Sequence, residues 1–428
     1  MTDISHIKTD LFINGSWKPA SETYTTRNPA TAEALPALAA ASASDVDEAV
    51  CAAAAAFRGE WGSLAPSRKG LLLHKLADLV ERDAEILGRL ESLDMGRPYG
   101  MSVQLMIPNL VTTLRYYAGW ADKINGDQIS TDGYMGAPIP THAYTLRAPL
   151  GVVGAIVPWN APLMILGWKM APALACGNTV VVKPAEDAAL SILHLATLVE
   201  EAGFPAGTVN VVTGYGAVTG EALVAHPTVK KISFTGSTEV GRSILRSSAA
   251  TFKRTGLELG GKAPQIVFED ADLGAALQGC AMGMFFNQGE VCAAGTRVLA
   301  HRKVYDTVVE GLKAAAEAQV IGDPFDPATT MGPLVNERQR DRVVGYMHIG
   351  KDEGATAVAG GSAPDRPGYF VEPTVFTGTN DMRVAREEIF GPVGIVIPFD
   401  TDDEALALAN DNAYGLSATV WTLSLIHI

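Results

Sequence analysis

Cys292 lies in the run FFNQGEVCAAGTR (residues 285–297), where small or polar neighbours on both sides leave the sulfur open to a second molecule. Asn287, Gln288 and Gly289 form a turn-prone cluster just before it. A thiol becomes a strong nucleophile only as thiolate, so a cysteine exposed beside backbone amides is the one to assign chemistry. Cys51, Cys176 and Cys280 stand in apolar or alanine-rich surroundings and read as packing. The four cysteines show no metal-ligand spacing and no disulfide framework, which suits a reducing cytoplasm. A lone loop cysteine is more often inert than reactive, so the case for Cys292 depends on what the chain brings to it.

A second chemical group is Glu258. It sits between Leu257 and Leu259 in LELGGK (257–262), a setting that partly desolvates a carboxylate and raises its pKa toward that of a useful base. The competing reading is a strand-end glutamate facing solvent. A third is Gly236-Ser237 in SFTGSTEVG (233–241), where a strand meets a helix N-terminus. Bare backbone amides and the positive helix end suit a pyrophosphate.

The elements that must position these groups follow from pattern. LFINGSWKP (11–19) predicts a hairpin turning at Asn14-Gly15. Helices are expected over 45–62, capped by Ser44, and over 66–95 and 102–123. Residues 125–148 lose helix formers and read as an extended ribbon. Strands at 151–157, 178–182, 208–212 and 230–234 alternate with helices at 162–175, 188–202, 217–225 and 238–248, the mark of parallel βαβ units. A second α/β stretch begins near 260, with helix 272–286, strand 296–300, helices 303–319 and 336–353, strand 393–398 and helix 402–411. The uncharged run from Ala148 to Trp168 has the length of a membrane span, but Pro149, Pro158 and Pro162 interrupt it and Asn160 lies within it, so it reads as strand, loop and helix start. The formal net charge of −14 disfavours nucleic acid. The opening MTDISHIKTDLF has no apolar core segment, so no secretory signal is expected. The closing LSLIHI lacks a cap or closing element, and a reading frame that ran into foreign sequence is the expectation there.

Together with VPWNAP (157–162), KPAE (183–186) and EEIFGPV (387–393), these segments resemble, in order and over nearly the whole chain, the NAD(P)-dependent aldehyde dehydrogenase superfamily. The resemblance implies an α/β fold with a Rossmann-type cofactor domain (1–124 and 149–259), a β-ribbon oligomerisation arm (125–148) and an α/β catalytic domain (260–428) that is C-terminally incomplete. It implies oxidation of a small aldehyde to a carboxylic acid with NAD, through a thiohemiacetal and a thioester on Cys292. Asn160 would stabilise the oxyanion, Glu258 would activate water, and Lys169 would relay protons. Asn160 as a turn residue and Lys169 as a solvated helix residue are the competing readings.

By the same resemblance the cofactor would lie against Ile156, Trp159, Lys183, Glu186, Gly216, Gly236, Ser237 and Leu259, with Glu388 and Phe390 at the nicotinamide end. Glu186 would repel a 2′-phosphate, which favours NAD over NADP. Ala161, Ile165 and Trp168 would line the substrate entrance, with Val291 and Ala293 flanking the sulfur. The full-length protein would be a cytoplasmic homodimer or homotetramer, with no metal and no nucleic-acid or membrane partner. Two other functions remain: acyl transfer to coenzyme A, against which Glu258 argues, and a non-catalytic cofactor-binding protein.

Overall fold

The computed structural model describes residues 7–428. The first half of the opening segment read above for a secretory signal, residues 1–6, lies outside the described residues. Two sheets organise the chain. A seven-stranded sheet has the order Arg254–Glu258, Val229–Thr235, Val152–Ile156, Thr179–Lys183, Val209–Val211, Leu11–Ile13, Ser16–Lys18. Its first five strands are parallel, and the predicted hairpin joins antiparallel at the far edge. Asn14 (φ 53°) and Gly15 (φ 72°) make its turn, both in the left-handed region that such hairpins demand.

The strand TVVVK (179–183) shows why this sheet is central. All five residues are buried. Val180 and Val182 face one apolar cluster and Val181 the other, as the two-residue repeat requires of a strand covered on both sides. Each buried valine contributes about 1.5–3 kcal/mol, so Val181→Asp would break the sheet at its middle.

The second sheet has six strands in the order Thr356–Ala359, Thr374–Thr377, Val393–Phe399, Arg297–His301, Pro264–Val267, Thr419–Trp421. All its neighbours are parallel except the first pair. Its faces are filled in the same alternating way, with Leu299 on one side and Val298 and Ala300 on the other.

Several local expectations are corrected. The helix expected from Ser44 starts at Ala43 with Ser42 as its cap. The Ser42 side chain accepts from the Asp45 N–H, and the Asp45 carboxylate accepts from the Ser42 N–H at 2.9 Å, a reciprocal capping box. The single helix over 66–95 is two, Pro66–Arg82 and Ala84–Met95, broken at Asp83, which takes ion pairs from Arg82 (2.7 Å) and His194 (2.8 Å). The helix over 102–123 is a π-turn over Ser102–Met106 running into Ile107–Trp120. The antiparallel pair Glu22–Arg27 and Ala34–Ala40 had no sequence expectation. Within 125–148 only Gln128–Ile129 and Ala143–Tyr144 pair as strands. Among the described residues no helix is long and apolar enough to cross a membrane.

Candidate active site

In the parallel core of the first sheet, Val152–Ile156 and Val229–Thr235 are neighbours, yet the chain reaches one after the other only through the strands on the far side. Strand order reverses there, and connections leave a crevice at the carboxyl ends of the two strands. Ile156 and Trp159 follow the first of these ends, and Thr235, Gly236 and Ser237 follow the second. A cleft of about 610 Å³ opens at this point, lined by Ile156, Trp159, Lys183, Glu186, Gly216, Gly236 and Ser237. Sharing Trp159, Thr235, Gly236 and Ser237 with it is a second cavity of about 410 Å³, lined by Asn160, Leu259, Cys292, Glu388 and Phe390. The two cavities share a wall, with Lys183 lining the first and Cys292 the second.

The cleft fits a dinucleotide on local grounds. Ser237 caps helix Thr238–Ala249, so that helix turns its N-terminal amides to the cleft. At Gly236 an added Cβ would sit 2.5 Å from the Phe234 ring, so any larger residue would have to displace that ring. The Thr235 hydroxyl is buried with no protein partner, a polar group left for a ligand. At the far end Glu186 accepts from the Gly216 N–H at 2.6 Å and pairs with Lys183 at 3.4 Å. At the near end Glu388 accepts from the Gly261 N–H at 3.2 Å, and its carboxylate occupies the space where a side chain at Gly260 would go. Burial pushes the Glu388 pKa up.

Cys292 is half-buried. Burial pushes its thiol pKa up and the carboxylates of Glu388 and Glu258 add to this, against stabilising hydrogen bonds from its own backbone amide and that of Ala293. The amides expected beside the sulfur are there, but the loop by itself keeps the thiol protonated. Of the other cysteines only Cys280 is buried. Cys51 and Cys176 are exposed, which corrects their reading as packing: one lies on the solvent face of helix Ala43–Arg58 and the other at the end of helix Pro162–Ala175.

Glu258 departs from expectation as well. Leu257 and Leu259 pack on the apolar cluster, and the two-residue repeat turns Glu258 to the opposite side of an edge strand, where it is exposed rather than desolvated. Glu258 and Lys169 lie outside the walls of both cavities. Lys169 is buried, donates to the Ser233 hydroxyl at 3.3 Å, and has its pKa lowered to about 8 by burial. Ala161 and Ile165 are buried in the core rather than lining the cavity, and Trp168 is exposed with its indole N–H on Asn109 at 3.1 Å.

Sequence reading missed Arg338, Gln339 and Arg342, which line the near cavity. Gln339 donates to the Phe390 carbonyl at 2.6 Å and Arg342 to the Glu388 carbonyl at 2.6 Å, so helix Glu337–Asp352 braces the loop that carries Glu388 and Phe390. The only signal was their clustering in the helix's first turns, in the run ERQRDR. Among the described residues no group of three His, Cys, Asp or Glu side chains is arranged to hold a metal ion.

Fold and site define a dinucleotide-binding α/β protein with a thiol at the end of its cofactor cleft. The family model described as "Aldehyde dehydrogenase family" matches residues 17–428, and the chain belongs to that family. It is 45% identical over 416 residues to an aldehyde dehydrogenase of Emericella nidulans, covering 96% of this chain and 82% of that protein. It is 45% identical over 421 residues to the mitochondrial aldehyde dehydrogenase of Homo sapiens, covering 97% and 80% respectively. Among solved structures, the NAD+ complex of an aldehyde dehydrogenase from Bacillus cereus superposes with a TM-score of 0.96 at 45% identity, covering 100% of this chain and 87% of that one.

Proposed function

We infer that this chain is an NAD-dependent aldehyde dehydrogenase that oxidises an aldehyde to a carboxylic acid on Cys292. The observation that carries the assignment is the shared wall of the two cavities, one lined by Cys292 and the other by Lys183 and Glu186. Family membership supports the reaction, and the NAD+ complex of the Bacillus cereus relative supports the cofactor. Glu186 and Lys183 hold the adenine ribose, the helix end at Gly236-Ser237 holds the pyrophosphate, and Glu388, Phe390 and Leu259 hold the nicotinamide end. Bound NAD supplies the acceptor for a hydride.

The steps on the protein are then defined. The Cys292 thiol gives its proton to solvent water as the sulfur bonds to the aldehyde carbon, and the carbonyl oxygen takes the negative charge. The Asn160 side chain spends one N–H on the Glu290 carbonyl at 2.8 Å and keeps the other for that oxygen, together with the Cys292 backbone N–H. Loss of hydride from the tetrahedral carbon leaves a thioester. Glu258 takes a proton from water, the hydroxide adds to the thioester carbon, and the C–S bond breaks to release the carboxylic acid. Exposure at the strand end gives Glu258 access to water, and its charge reaches the sulfur. Lys169, buried nearby with a pKa near 8, serves proton exchange with Glu258.

Oligomerisation runs through the ribbon. Met135 is 89% exposed and Leu146 79%, apolar side chains that a homodimer or homotetramer would cover. The four free cysteines suit a cytoplasmic protein. The test of the chemistry is mass spectrometry of enzyme quenched in acid during turnover. An acyl adduct on the peptide bearing Cys292 is expected. Turnover without such an adduct, or full activity in Cys292→Ala, would remove the assignment.

A further inference from the structure

Arg97 has a fully buried side chain, paired with an equally buried Glu91. A buried ion pair is a poor source of stability compared with apolar packing, so its geometry needs another account. Each nitrogen of the guanidinium has a different task. Nη1 donates to Glu91 Oε2 at 2.7 Å, Nε donates to Asn287 Oδ1 at 2.8 Å, and Nη2 donates to the Asn160 carbonyl. The other Glu91 oxygen accepts from the Leu163 N–H at 3.1 Å, at the start of the helix that follows Asn160. Asn287 closes the ring, its amide donating to the Asn160 carbonyl at 3.1 Å and to the Glu290 carbonyl at 3.3 Å.

The two loops so joined are the ones that matter to the reaction. One carries Asn160 from the first sheet, and the other carries Cys292 before the second. The second loop is also strained. Asn287 (φ 50°) and Gln288 (φ 57°) both adopt left-handed backbone, followed by Gly289 (φ 68°). A planar cation with fixed donor directions is suited to hold such a turn against its neighbour; a lysine, with a single donor centre, cannot span the same three acceptors.

We propose that Arg97 is a positioning residue that fixes the Asn160 amide and the Cys292 loop in register, so that the oxyanion site exists before the aldehyde arrives. The inference rests on the reading of Asn160 as oxyanion donor. Arg97 itself lines neither cavity and touches no reacting atom.

The test is a double-mutant cycle of Arg97→Lys and Asn160→Ala, read by pre-steady-state NADH formation, with Glu91→Gln as a milder second variant. NAD affinity from fluorescence titration and the melting temperature are measured alongside. The expected result for Arg97→Lys is a ~10–100-fold slower first turnover with the KM for NAD within twofold of the parent. In the Asn160→Ala background the same change should cost several-fold less than in the parent, because one of the two groups it positions is gone. Penalties that multiply in full in the double variant, with Asn160→Ala alone strongly impaired, would overturn the role of Arg97 and leave the oxyanion reading intact. An unimpaired Asn160→Ala would overturn both. Should Arg97→Lys fold poorly, Glu91→Gln carries the same cycle, and an unchanged first turnover in a folded Glu91→Gln protein would also sink the proposal.

Discussion

Trp159 and Phe390 meet edge to face, their ring centroids 5.1 Å apart and their planes at 85°. One follows the strand Val152–Ile156 of the first sheet, and the other belongs to the loop leading into Val393–Phe399 of the second. Phe390 takes φ 62° to reach this contact, a backbone conformation that a bulky residue adopts only when its surroundings hold it. Both rings line the cavity that also holds Cys292, where the proposed function puts the nicotinamide.

Removing the ring should therefore weaken cofactor binding more than it weakens the fold. An edge-to-face pair is worth about 0.5–1.5 kcal/mol beyond its area. Phe390→Ala should raise the KM for NAD by roughly 3–10-fold, with the KM for aldehyde changed less. An NAD KM equal to the parent's, measured at saturating aldehyde, would detach Phe390 from the cofactor.

Glu258→Gln separates the two halves of the reaction. The first equivalent of NADH should form in a burst, while the steady-state rate falls by roughly 10²–10⁴-fold, the range of a lost general base. Stopped-flow absorbance reads both phases. A steady-state rate near the parent's would place the water-activating group elsewhere.

Cofactor choice turns on the carboxylate beside Gly216. Glu186→Gln keeps the side chain's length but removes the charge that opposes a 2′-phosphate. The NAD-to-NADP ratio of kcat/KM should fall by about 10-fold, the size of one hydrogen bond to a charged group. Unchanged selectivity would show that the ribose hydroxyls are read by another residue.

Lys262 gives a pH-dependent prediction. Its ammonium is buried without a hydrogen-bond partner, and burial lowers its pKa to about 7. The unfolded chain holds the same proton up to about pH 10.4. Between these values the unfolded state binds more protons, so this group's contribution to stability rises with pH; below about 7 the folded state must carry the buried charge in full. Lys262→Met should thus be more stable than the parent by an amount largest near pH 6 and smaller by about 4 kcal/mol near pH 10. Urea melts of both proteins at pH 6, 8 and 10 measure the gap. A gap of constant size would show that the proton is not linked to folding.

Much of this arrangement was legible in the chain. The alternation of short apolar runs with helices located four of the five parallel strands of the first sheet, all but Arg254–Glu258, because a strand buried on both faces leaves an unbroken run such as VVV at 180–182. Candidate groups for the cavity were legible because glycines and turn residues cluster where a strand meets a helix, as at Gly236-Ser237. What escaped was whatever depended on facing. ALPALAA (34–40) has the composition of a helix but pairs as a strand with ETYTTR (22–27), since pairing overrides propensity. Glu258 looked enclosed because its sequence neighbours are leucines, yet adjacent residues on a strand point to opposite sides. Arg97 gave no sign at all: an arginine before a proline reads as surface until three partners from distant segments surround it.

The reversal of strand order beside Val152–Ile156 has one more consequence. On the proposed reading the cofactor would lie against residues of that sheet and also against Glu388 and Phe390, which precede a strand of its neighbour, so both halves contribute to one site. Turnover would then report on how the two halves dock as well as on whether each is folded.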